Sequence, residues 1–166
     1  MSNFVINPYS FVSSEVQFCQ SNGGALEGMG DDNAFFGNVI TSGNSVIGAS
    51  CTALTMYLDD YNDSSPGGTI YARVYNDSGV LQHTWNSINA NTLTGSNVGY
   101  TFTGDSFTIQ EDYRVGIVWE DKTGGGRVDS VGSSQSGWSY IERNGGSWTT
   151  PSTSKAFKMC ITGIPA

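Results

Sequence analysis

Charge is scarce in this chain, and positive charge is missing from its first 72 residues altogether. Only 13% of residues are Asp, Glu, Lys or Arg, about half the usual share, so solubility must rest on Ser, Thr, Asn and Gly. No Lys or Arg precedes Arg73, whereas Glu15, Glu27, Asp31, Asp32, Asp59, Asp60 and Asp63 all fall in that stretch. A purely anionic half cannot approach a polyphosphate backbone, so nucleic acid is not an expected partner. The later basic residues, Arg73, Arg114, Lys122, Arg127, Arg143, Lys155 and Lys158, are scattered and form no basic run.

Other shortages exclude other classes. No segment is long and apolar enough for a membrane span. The opening Met1-Ser-Asn-Phe-Val-Ile-Asn-Pro-Tyr9 has neither the basic start nor the apolar core of a secretory signal, so export by that route is not expected. His83 is the one histidine, which excludes multi-histidine zinc catalysis. A Ser-His-Asp hydrolase would have to be built on His83, yet no nucleophile-elbow motif accompanies it. It is expected to be a half-exposed strand residue. The three cysteines, Cys19, Cys51 and Cys160, are widely spaced and odd in number, which indicates neither a disulfide framework nor a zinc ribbon. Buried free thiols are the expectation, with one disulfide and a leftover thiol as the alternative outside a reducing cytoplasm.

What is abundant is strand-period alternation punctuated by turn residues. Thr69-Ile-Tyr-Ala-Arg-Val-Tyr75 sets Ile70, Ala72 and Val74 on one face and Tyr71, Arg73 and Tyr75 on the other. Asn76-Asp-Ser-Gly79 follows with turn chemistry. Similar short runs occur at Glu15–Gln20, through 45–60 with Leu54, Met56 and Leu58 inward, and at 80–85, 100–102, 107–109 and 113–120. Shorter ones follow at 127–131, 138–141 and 147–150, and a closing strand at 156–161 turns Phe157, Met159 and Ile161 to one side. About eight to ten strands predict an all-β fold, an antiparallel, jelly-roll-like β-sandwich. Residues 1–14, broken by Pro8, read as an N-terminal arm or edge strand, and 15–166 as a single β-sandwich domain. Residues 21–38 carry Gly23, Gly24, Gly28, Gly30 and Gly37 and read as a long loop, a segment type that is usually functional or packs on a neighbour.

Three chemistries compete for the remaining residues. Glu120 and Glu142 are the candidate acids of a sandwich glycosidase, if both lie on one sheet face. Asp31-Asp-Asn33 and Asp59-Asp-Tyr-Asn-Asp63 offer oxygen donors to a structural calcium, although their spacing matches no EF-hand loop and turn-forming acids are the simpler explanation. No other cofactor is expected. Trp85, Trp119, Trp138 and Trp148, with Tyr71, Tyr75 and Tyr140, would suit either a platform for stacking sugar rings or a surface covered by a neighbouring subunit, where Tyr, Trp and Arg are enriched. The subunit surface is preferred. Tyr71, Arg73 and Tyr75 on the outer strand face, and Phe35 and Phe36 in the glycine-rich loop, are the interface candidates; no catalytic residue is assigned.

Gly68-Thr-Ile-Tyr-Ala-Arg-Val-Tyr-Asn-Asp-Ser-Gly79, Leu93-Thr94, Tyr100-Thr-Phe-Thr-Gly104 and Tyr113-Arg-Val-Gly-Ile117 together resemble jelly-roll sandwich modules of virion surface proteins and of large microbial cell-surface proteins. The resemblance spans residues 45–121. Phe4-Val-Ile-Asn-Pro-Tyr9 also looks like the start of small bacteriophage structural proteins. It implies a non-enzymatic virion structural protein, a capsid decoration, head fibre or tail component, made in the host cytoplasm and located in the virion. Its implied partners are other virion proteins and further copies of itself, with host surface glycans as a further ligand. The alternative is a carbohydrate-binding or adhesion sandwich module at a cell surface.

Overall fold

In the computed structural model the described residues are 14–20, 24–30, 32–61, 65–131 and 134–166, so most of the N-terminal arm lies outside them. The chain forms β1 (Val16–Gln20), β2 (Ala25–Gly28), β3 (Phe35–Ile40), β4 (Ser50–Asp59), β5 (Gly67–Tyr75), β6 (Leu81–Asn89), β7 (Val98–Thr108), β8 (Arg114–Thr123), β9 (Arg127–Val131), β10 (Trp138–Asn144), β11 (Ser147–Trp148), β12 (Ala156–Phe157) and β13 (Met159–Ile164). They build two antiparallel sheets packed as a β-sandwich. One has seven strands, in the order β1-β13-β4-β9-β12, with β7 also on β4 and β2 on β9; the other has six, in the order β11-β10-β3-β8-β5-β6. The described residues form thirteen strands rather than eight to ten because short pieces such as β2 and β12 complete ladders that begin elsewhere, and no local periodicity marks a pairing of two to four residues.

The alternating runs place the core as expected. Leu54, Met56 and Leu58 from β4, Ile70, Ala72 and Val74 from β5, and Phe157, Met159 and Ile161 from β12 and β13 are fully buried between the sheets. Each such aliphatic or aromatic side chain contributes about 1.5–3 kcal/mol by leaving water. Polar side chains serve this core as well. Asn38 projects inward from β3 and bonds the Phe157 backbone at both amide ends, donating to its carbonyl at 2.8 Å and accepting from its N–H at 2.9 Å. This ties one sheet to the other without leaving a buried amide unpaired. Trp119 donates its indole N–H to the Gly67 carbonyl at 2.8 Å.

The reading of residues 21–38 as a loop is corrected. Among its described residues, 25–28 form β2 against β9, and 35–40 form β3 in the middle of the six-stranded sheet. The glycines that mimic loop composition are there for close approach. Gly37 pairs directly with Gly116 across β3 and β8, and the Phe35 ring lies over both: a Cβ added at either would meet Phe35 Cζ at 2.6 and 2.9 Å. A glycine in a strand interior often marks such a site.

The cysteine expectation is also corrected. Cys19 and Cys160 face each other across β1 and β13 and are joined in a disulfide, closing a separation of 141 residues. Cys51 alone is a buried free thiol, and burial pushes its pKa up to about 12, which keeps it protonated and unreactive.

Candidate functional site

Register assigns the central residues of the outer face of the six-stranded sheet. One row across the strands reads Tyr71, Val118, Phe35, Arg143, Trp148; the next reads Arg73, Gly116, Gly37, Ile141; the third reads Leu81, Tyr75, Arg114, Val39, Ser139. Paired residues put their side chains on the same side of the pleat, so all of these point away from the main core. The middle row carries two glycines and therefore leaves a trough. Phe35, Tyr75 and Trp148 close over it from the rows on either side, with ring centroids 5.5, 5.1 and 5.4 Å apart and all three pairs edge to face. Such pairs contribute about 0.5–1.5 kcal/mol beyond their burial. With Val39, Val118 and Ile141 they make a second, smaller apolar cluster on the outside of the sandwich.

Arginine rims this cluster. The Arg114 guanidinium sits 4.2 Å from the Trp148 ring centre, and Arg143 sits 5.1 Å from Trp148 and 5.0 Å from Tyr75. Arg73 lies 4.6 Å over Tyr71 and pairs with Glu120 at 2.5 Å. Arg127, Lys155 and Lys158 are in ion pairs elsewhere, but neither Arg114 nor Arg143 is in one among the described residues. Arg114 donates one Nη2–H to the Asp77 carbonyl, while its buried Nη1 has no hydrogen-bond partner. Desolvation lowers its pKa, with the Asp77 carboxylate acting in the opposite sense.

The expected interface residues divide. Tyr71 and Arg73 are half-buried on this face. Tyr75 is only 4% exposed, because Trp148 and Arg143 of the same chain cover it. Phe35 and Phe36 are buried strand residues at 0% and 2%, the first under the aromatic cluster and the second in the main core, so neither offers itself to a partner. Trp148, expected only as one of several aromatics suited to a covered surface, lies at its centre, and Arg114 and Arg143 join it unforeseen. Their strands alternate too weakly to show a face: the β5–β8 register sets Arg114 directly beside Tyr75, and the ladders of β10 on β3 and β11 on β10 bring Arg143 and Trp148 to it.

The other candidate chemistries come apart in space. Glu120 shares the outer face with Arg73. Glu142 pairs with Phe36, whose ring is in the core, and so projects from the opposite face of the sheet. Two acids on opposite faces cannot flank one glycosidic bond. Trp85, Trp119, Trp138 and Tyr140 belong to the main core, which removes most of the sugar-stacking platform. Asp32 accepts from the Lys122 N–H and Asn33, and Asp59 is held bidentately by Arg127 at 2.9 and 2.8 Å. Among the described residues no group of three or more His, Cys, Asp or Glu could hold a metal ion. Asp31 and residues 62–64 of the two acidic stretches lie outside those described.

His83 faces inward opposite Val74, stacks on Phe107 at 4.9 Å and meets Trp85 edge-on at 5.2 Å. Burial lowers its pKa against the opposing pull of Asp105, and its Nε2 has no hydrogen-bond partner. It wedges the margin between β6 and β7, and nothing placed around it forms a nucleophile-base pair.

Compared with known proteins, the chain matches no family model, no curated protein and no solved structure.

Proposed function

We propose that this chain is a non-enzymatic structural protein of a virion, a capsid-decorating or fibre-like component, that assembles through the outer face of its six-stranded sheet. The observation that carries this reading is the composition of that face. Three of the seven basic residues, Arg73, Arg114 and Arg143, stand there among Tyr71, Tyr75 and Trp148 on a chain of net charge −8. Tyr, Trp and Arg are the residues that dominate interface energetics. The resemblance of residues 45–121 to virion sandwich modules supplies the setting. The Cys19–Cys160 disulfide fits a protein that persists in an oxidising exterior after release.

The test uses Tyr71→Ser, which removes a half-buried ring without entering the Phe35–Tyr75–Trp148 cluster. The variant is expected to melt like the parent chain and to be depleted from purified particles, measured by quantitative mass spectrometry. Undiminished incorporation would sink the proposal. Binding of a neutral polysaccharide by a chain absent from particles would favour the carbohydrate-binding alternative.

A further inference from the structure

Arg114 and Arg143 bring two guanidiniums onto one indole, 4.2 and 5.1 Å from its centre, with neither in an ion pair among the described residues. Like charges held on one ring repel, and a carboxylate brought up to the exposed edge of this rim would relieve that repulsion. The faces of Trp148 and Tyr75 are already taken by guanidiniums and by each other, which leaves little ring surface for a sugar. Beside them, Val80 and Leu81 are 57% and 46% exposed, and Leu81 continues the row of Tyr75 and Arg114. A cationic centre with an aliphatic flank fits a protein surface that is acidic and partly apolar.

Such a surface exists at the same end of this sheet. Glu111 and Asp112 are exposed in the turn leading directly into Arg114, and neither is in an ion pair among the described residues. The backbone N–H of Asp112 is anchored on the Ile40 carbonyl at 2.7 Å, so the turn is held to the sheet. Acid and base two residues apart on one rim make the patch self-complementary, the property that a two-fold interface requires. We infer that a second copy of this chain docks here, with Glu111 and Asp112 of each copy meeting Arg114 and Arg143 of the other and Val80 and Leu81 closing the flank. This rests on the reading of the outer face as an assembly surface, and names the partner.

The experiment is sedimentation equilibrium of the full chain at about 0.05 M and about 0.5 M salt, where screening separates charge-driven from apolar association. The parent chain should dimerise at low salt and weaken at high salt. Glu111→Arg and Arg114→Glu should each raise the dissociation constant about tenfold or more, and the double variant should recover it, because the exchanged charges again meet across the axis. Arg114 also braces Trp148, so thermal melts accompany each variant; Glu111 is exposed and makes no hydrogen bond or ion pair among the described residues, and its variant carries the test if Arg114→Glu misfolds. A parent chain monomeric at low salt, single variants that dimerise unchanged, or a well-folded double variant without recovery would each overturn the inference. A monomer that still enters particles overturns self-docking and spares the structural role. A dimer that never enters them does the reverse.

Discussion

The two outer faces of this sandwich are built by the same pleat and meet the same solvent, yet they differ in kind. The outer face of the seven-stranded sheet carries Thr52, Thr55, Thr101, Thr103 and Thr162, with the Thr55 and Thr101 hydroxyls bonded at 2.8 Å and Thr52 donating to Glu15 at 2.7 Å, and a single ring, Tyr57, under Lys158. Its fixed point is covalent, the Cys19–Cys160 bridge that holds edge strand β1 on β13. The outer face of the six-stranded sheet carries a second apolar cluster under a rim of arginine. The proposed assembly surface rests on this contrast, with rings and guanidiniums gathered on one side of a charge-poor chain.

Breaking each face at its anchor sharpens this contrast. The largest effect is expected on the threonine face. Replacing Cys19 and Cys160 by Ala opens a closure of 141 residues and should cost about 5 kcal/mol in the chain-entropy account, read from denaturant unfolding. Adding reductant to the parent chain should reproduce that loss. On the aromatic face, Trp148→Ala removes the ring that covers Phe35 and Tyr75 and frees both arginines. A cost of about 2–3 kcal/mol is expected, less than a fully buried tryptophan because Trp148 is partly exposed. Thr55→Val, the matched change opposite, should stay within about 0.5 kcal/mol. If the two substitutions cost the same, the faces are equivalent and the case for a binding side falls.

The smallest effect belongs to neither face but to the margin between them. His83 has its folded-state pKa lowered by burial, so the folded chain binds fewer protons there than the unfolded chain. Stability should therefore be full above the ordinary histidine value of about 6.5, fall as pH drops from there through the lowered folded value, and level off below it. His83→Gln should remove that slope from a series of melts across pH; a slope unchanged by the substitution would show that other groups supply it.

Much of the core was legible in the chain because alternation with period two is a local property. Ile70, Ala72 and Val74 declared their face within seven residues, and Phe157, Met159 and Ile161 did so within five. Residues 21–38 misled because a glycine that admits a ring looks the same in sequence as a glycine that admits a turn. The meaning of Gly37 depends on Gly116 and Phe35, and only pairing of β3 with β8 brings the two glycines together. Three tryptophans misled similarly: each has ample apolar surface for either side of a sheet, and only register decides which side it takes.

The chain by itself determined the all-β class, the inward face of its longer strands, the anionic first half and the exclusion of histidine-rich metal chemistry, because these follow from composition and from neighbours a few residues apart. Tertiary structure alone decided that Cys19 meets Cys160, that Glu120 and Glu142 part to opposite faces, and that Trp148 reaches Tyr75 between Arg114 and Arg143. Those juxtapositions span 22 to 141 residues of chain. Register across several strands creates them, and a one-residue slip in any ladder would send each side chain to the other face.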